Sequence, residues 1–403
     1  MIRTAPPGRH RTTRPRASAR TGLALAVASV LLCACAADGD PALDCTAPTA
    51  FGGPPPRTFS PAFDALGDAP ANDVDTGLAD ALATVLQRGV ARTDATRATA
   101  ALVHPTLGRW RARIGGDGAA GEDPGTPFWW ASVGKLATSA ILHGLAAEGR
   151  LSLDDTLDRW YPDYPQAPRI TLRSLLDHTA GAFSFQRDLE LRERGGYVPP
   201  EALIAVSASH GADFCPGTAW SYSNTGYVLL ARVAERITGR TLATLVAERV
   251  SGPLGLATLR VLERGAPPGA VVAPAGIAVA DVGAIATVHG AGAVVADAPD
   301  ALALLIAWLD GTLVPSAARD GALARTHPMY GTTMHYGLGL MATEVPDPAR
   351  PALWIGHSGG SPEAKGLVLF DVPSGAAIAI ALNAQAPAEA IAGELLKALD
   401  RHD

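Results

Sequence analysis

Apolar positions at helical spacing open the body of the chain. Leu78, Leu82, Val85 and Leu86 fall on one face between Gly77 and Arg88, which predicts a helix. Residues 99–104 and 109–114 read as strands joined by Pro105-Thr106-Leu107-Gly108. A glycine-rich loop, 115–125, leads into an apolar run from Ser132 to about Glu148, a helix that Gly149 is placed to stop. Short helices with polar caps follow around 151–157 and 170–181, and an apolar helix spans Tyr227 to Ile237. To about residue 345 the pattern stays mostly helix and loop. After Leu353 it changes: 353–357, 366–371 and 376–382 read as three successive strands, with Pro373-Ser374-Gly375 turning between the last two. Ile391, Leu395, Leu396 and Leu399 mark an amphipathic C-terminal helix. Two early and three late strands around a helical middle predict an α+β fold. Its antiparallel β-sheet is flanked by helices, in the manner of an α/β sandwich, with an inserted, mostly helical lobe. No second linker interrupts residues 73–403, so one folded unit with two lobes is expected.

The first seventy residues read differently. Six arginines and no acidic residue precede Cys35, and the apolar run 22–32 is too short to cross a bilayer comfortably. Residues 1–35 therefore read as an export signal. Leu32-Cys33-Ala34-Cys35 resembles a bacterial lipobox with Cys35 as the lipidated residue; cleavage just after Ala36 would instead release a soluble periplasmic protein. Residues 36–72, rich in Pro, Gly, Ala and Asp, read as a tether. Without the six signal arginines the formal charge is 27 minus 39, or −12, which argues against a nucleic-acid partner. The membrane enters only through the lipid anchor. Beyond the signal, Cys45 and Cys215 can pair in an oxidising compartment or stay free. No C-x-x-C, H-E-x-x-H, P-loop or strand-to-helix G-x-G-x-x-G occurs, so neither metal nor cofactor is expected.

The chemistry is concentrated at three places. Ser132 and Lys135 sit one helical turn apart. A serine hydroxyl needs a base, and lysine serves only when neutral. Of thirty-three basic residues just three are lysine (Lys135, Lys365, Lys397); arginine could not do this work, because it stays protonated. In Tyr222-Ser223-Asn224, a phenol can shuttle a proton and an amide can bond both a substrate carbonyl and the lysine, or the pair can be a buried tyrosine and a helix cap. Gly356-His357-Ser358-Gly359-Gly360 ends a predicted strand, where small residues admit a substrate backbone and free N–H groups for an oxyanion, or form an ordinary glycine turn.

Ser-x-x-Lys, Tyr-x-Asn and His-x-Gly, in this order, resemble the three-part signature of the serine β-lactamase and penicillin-binding-protein superfamily. The likeness is to its class C-related branch, with D-Ala-D-Ala carboxypeptidase and esterase relatives. It covers roughly residues 75–400 and extends to framing segments at 175–181, 216–217, 253–256 and 336–340. The resemblance implies an acylated nucleophile at Ser132, its partner base at Lys135, and a general base and then acid at Tyr222. Asn224, His357, Ser358 and Gly359 would place the substrate, with an oxyanion hole from the backbone N–H groups of Ser132 and Gly360. His357 stands where many members carry a lysine. Being mostly neutral at pH 7, it counts against an efficient β-lactamase. There is no Glu-x-x-Leu-Asn, so a deacylating water would be activated through Tyr222. The expected function is an exported serine hydrolase working through an acyl-enzyme, most like a D-alanyl-D-alanine carboxypeptidase or esterase. Its substrate would be a small molecule or a peptidoglycan-type peptide. Alternatives are a class C-like β-lactamase and a penicillin-binding envelope protein with little turnover. Trp129 and Trp130 are expected to pack behind Ser132, and His178 to support the nearby helix end.

Overall fold

The computed structural model describes residues 43–46, 50–63, 66, 70–115, 126–265, 271–272, 274, 279–331 and 333–402. The export segment, Cys35, parts of the stretch read as a tether and most of the glycine-rich loop lie outside the described residues. Residues Ala36–Asp403 group as one unit.

Strands are β1 (Ala98–His104), β2 (Gly108–Ile114), β3 (Phe128–Trp129), β4 (Arg260–Val261), β5 (Val294–Ala296) and β6 (His327–Met329). They continue with β7 (Met334–Tyr336), β8 (Met341–Val345), β9 (Ala352–Ser361), β10 (Ala364–Asp371) and β11 (Ala377–Leu382). Eight form one sheet in the order β2-β1-β11-β10-β9-β8-β7-β6, antiparallel at every pairing. The early strands thus pair with the late ones, Ala98 opposite Leu382, and the predicted α+β architecture holds. The region before 345 is less helical than its pattern suggests, because β6, β7 and β8 extend the sheet. β3, β5 and β4 make a small second sheet.

One face carries the helices Thr76–Val90 and Ala388–Leu399, whose Leu78, Leu82, Leu86, Ile391 and Leu395 meet Leu367, Leu369, Ile378 and Ile380. The other face carries the helices Lys135–Ala147, Asn224–Thr238 and Ala298–Leu309 over Ile355, Val368 and Phe370. β10 and β11 are buried along their whole length, so unbroken apolar runs, Leu367–Phe370 and Ala377–Leu382, replace alternation there.

The described part of the tether stretch is docked. Gly52 N–H bonds Thr218 O, and Arg57 pairs as a bridge with Thr326 beside β6. Phe59 and Phe63 are buried in the main core. Cys45 and Cys215 form a disulfide, resolving the alternatives that the sequence leaves open. Among the described residues no helix is long and apolar enough to cross a membrane.

Candidate active site

Ser132 lies in a 3-10 turn, Ala131–Gly134, that runs straight into the helix beginning at Lys135. Trp130 and Trp129 are buried behind it and anchored by indole N–H bonds to the carbonyls of Ala296 and Gly292. Ala131 is held at φ +46°, an unfavourable region for a residue with a Cβ, immediately before the serine. Lys135 has no exposed surface. Its Nζ lies 2.9 Å from Ser132 Oγ, 2.7 Å from Asn224 Oδ1 and 2.6 Å from Ala291 O. Burial holds its pKa well below the usual value. Two of the three partners are carbonyl oxygens, which only accept. A neutral amine gives its two protons to them and keeps its lone pair for the Ser132 hydroxyl.

Tyr222 faces the same hydroxyl. Burial pushes its pKa well above the usual value, and the Ser132 hydroxyl offsets only part of that, so the phenol is neutral and can donate. Its ring packs at a tilt against His178, centroids 4.2 Å apart, and His178 Nδ1 accepts from Ser223 N–H at 3.2 Å. His178 therefore braces the segment just before the helix, as the sequence suggests. Asn224 opens that helix, with its side-chain oxygen on Lys135 and its amide N–H on Gln186. Gln186 is exposed at the mouth of the site. Nothing in its sequence context marks it, and only the fold brings it there. Ala291, which supplies a backbone carbonyl, is equally invisible to side-chain reasoning.

β9 carries the third group. A Cβ on Gly359 would come within 2.6 Å of Ser132 N and 2.5 Å of Trp130 O, so glycine is what lets the strand meet the nucleophile turn. β8 ends in register with Gly356, which leaves β9 without a strand neighbour on that side from His357 onwards. Ser358 N–H points to that side, at Met341 Sδ. Gly360 N–H, two residues on, shares that direction by strand alternation.

Strand alternation separates the remaining two residues. His357 is buried on the Lys135 side, with Nε2 3.0 Å from Tyr336 Oη and Nδ1 2.7 Å from Ser358 O. Burial, then the Lys135 and Lys365 charges, push its pKa down to about 3, while the Ser358 carbonyl partly opposes them. The Ser358 side chain is turned to the opposite face, where Oγ meets Glu389 at 2.8 Å and Lys365 at 2.8 Å. Its hydroxyl is therefore not gathered with the rest, because a period of two puts it behind the strand. Lys365, paired with Glu389 at 2.5 Å, is on that hidden face too. No cluster of His, Cys, Asp or Glu fit to hold a metal occurs among the described residues.

The Beta-lactamase family model matches residues 82–401. Penicillin-binding protein 4* of Bacillus subtilis (strain 168) is 26% identical over 255 residues, covering 58% of this chain and 56% of that protein. Esterase EstB of Burkholderia gladioli is 31% identical over 151 residues, covering 32% and 37%. The matches thus span about half, or less, of these relatives' length. Among solved structures, a D-stereospecific amidohydrolase from Streptomyces sp. superposes with TM-score 0.66 at 28% identity, covering 79% of this chain and 98% of that one. The D-amino acid amidase from Ochrobactrum anthropi SV3 gives 0.70 at 22% identity, covering 81% and 99%, a likeness of fold.

Proposed function

We propose, because this chain belongs to the Beta-lactamase family, that it is a serine hydrolase acting through an acyl-enzyme on small esters and amides. The observation that carries this reading is the buried Lys135, whose Nζ is 2.9 Å from Ser132 Oγ with its other contacts on two carbonyls. Ser132 Oγ attacks the substrate carbonyl carbon while its proton passes to Lys135 Nζ. The developing oxyanion lies between the N–H groups of Ser132 and Gly360. On collapse the Tyr222 phenol donates its proton to the leaving oxygen or nitrogen and is refilled by the Lys135 ammonium. Water then enters, loses its proton along the same route, and releases the acid and Ser132.

Esters and D-amino-acid amides, which need carry no carboxylate, are favoured over β-lactams. Both ring nitrogens of His357 are committed, to Tyr336 and Ser358, and Lys365 is turned away, so neither points a cation at a lactam carboxylate. Export, with Cys35 as the site of lipid attachment, belongs to the same proposal and draws support from the Cys45–Cys215 disulfide. Labelling with a radioactive fatty acid, lost in Cys35→Ala, tests the anchor.

The enzymatic reading is tested by intact-mass time courses of the described domain with a p-nitrophenyl ester, a D-phenylalanine amide and a penicillin. Ser132→Ala is the control. Ser132-dependent turnover of ester or amide is expected. A lasting penicillin adduct without turnover would instead indicate a penicillin-binding protein, and drug loss without adduct a β-lactamase.

A further inference from the structure

Counting protons around His357 leads further than its hydrogen bonds do. The Leu176 carbonyl can only accept, so the Tyr227 hydroxyl, 2.9 Å away, commits its proton there. The Tyr227 oxygen, 3.1 Å from the Tyr336 oxygen, must then receive the Tyr336 proton. The Tyr336 oxygen must in turn accept from His357 Nε2, 3.0 Å away. At the far end the Ser358 carbonyl, 2.7 Å from Nδ1, again only accepts. These four contacts need four protons, whereas two phenols and a neutral imidazole carry three. A fourth, when His357 takes it up, makes that residue an imidazolium. Without it the Tyr227–Tyr336 contact, the longest of the four, has no proton between its oxygens.

We propose that this tyrosine relay makes His357 a second seat for the positive charge of the site, so that a proton on His357 leaves Lys135 as the neutral amine that receives the Ser132 proton. The exchange balances: His357 gains a proton from solvent and the Lys135 ammonium releases one, with no change in net charge. Tyr227, Tyr336 and His357 are positioning residues that act through Lys135.

The surroundings fit one charge and two seats. Lys135 and His357 repel when both are charged. The Lys135 Nζ lies 5.3 Å from the centre of the Tyr227 ring and 4.9 Å from that of Tyr222. His178, packed between Tyr222 and Tyr336, is kept neutral first by burial and then by Lys135 and His357. Tyr222, Tyr227 and Tyr336 are neutral phenols, each raised chiefly by burial. Lys365 reaches His357 from β10 but is paired with Glu389, and the carboxyl that acts on Tyr227 is Asp177.

The inference rests on the serine-hydrolase reading, and the test separates the two. Tyr227→Phe keeps the ring beneath Lys135 but leaves a relay that a neutral histidine satisfies. With p-nitrophenyl butyrate, the acid limb of its kcat/KM–pH profile is expected to move up by about one pH unit, the worth of one hydrogen bond, with the high-pH plateau retained. Tyr336→Phe should move it the same way. An unmoved limb overturns the proposal, as does a lowered plateau without a shift, which is what a packing role would give. As a second readout, the His357 ring carbons, followed by NMR in Lys135→Met, should titrate at higher pH than in the wild type; an unchanged titration also overturns it. If the wild type hydrolyses no ester, amide or lactam, the enzymatic reading fails, and the NMR comparison still decides the charge sharing.

Discussion

A lysine with no exposed surface must be satisfied by what is built around it, and Lys135 is met by two carbonyls and a hydroxyl. Lys135→Arg should lower kcat/KM by about 10²–10⁴-fold, the range for losing a general base, since arginine keeps its charge. Steady-state kinetics on the ester checks this. Folding is linked to the same proton. Between its depressed folded value and the unfolded 10.5, the unfolded chain holds a proton that the folded chain lacks, so stability rises with pH across that window. Urea midpoints at pH 7 and 9.5 should show wild type gaining on Lys135→Met as pH rises. At this scale the sequence is informative where a side chain does the chemistry and silent elsewhere. Ser132, Lys135 and Asn224 can be read from residue type and spacing, whereas the Ala291 carbonyl belongs to backbone that any residue could supply.

At the scale of an element, β9 shows what periodicity settles. His357 and Gly359 face the nucleophile; Ser358 and Gly360 face the C-terminal helix. Gly359→Ala would press a methyl on Ser132 N and Trp130 O, both backbone atoms with little room to yield. A displacement of that size in the nucleophile turn is expected to cost about 100-fold in kcat/KM while leaving the protein folded, as judged by activity and circular dichroism together. Ser358→Ala should change activity far less, because its hydroxyl serves the Lys365–Glu389 pair. Alternation along 353–360 already contains this division, but only a known face turns it into a statement about the site. β6 and β7 escape a sequence reading for a different reason. Each has three residues and β6 contains a proline, too little pattern to distinguish from loop.

For the whole molecule, the disulfide and the buried histidines set the response to conditions. The Cys45–Cys215 bond closes a separation of 170 residues. The double change to serine is expected to cost about 2–4 kcal/mol in denaturant unfolding. His143 is buried against Trp308, and burial first, with an Arg173 contribution, lowers its pKa to about 4. Its contribution to stability is therefore lost as pH falls from 6.5 towards 4, where the unfolded chain gains a proton first. Unfolding midpoints of His143→Leu should fall less steeply over that range. The domain architecture is legible because the strands at both ends of the body are regular. The docking of 50–63 is not, because Pro-Gly composition describes a chain without regular structure equally well whether it is free or laid on a surface.

That docked stretch has a colloidal consequence. β6 is the last strand of the sheet, and Arg57, bridging to Thr326 at its approach, together with Phe59 N–H on Leu323 O, shields the neighbouring backbone. A recombinant chain begun at residue 73 would retain every residue assigned to catalysis, yet would leave that margin bare and Leu323 O unpaired. Exposed strand margins template pairing between molecules. Such a chain is expected to pass from clear solution to turbid suspension at concentrations where one begun at residue 43 still elutes as a single species.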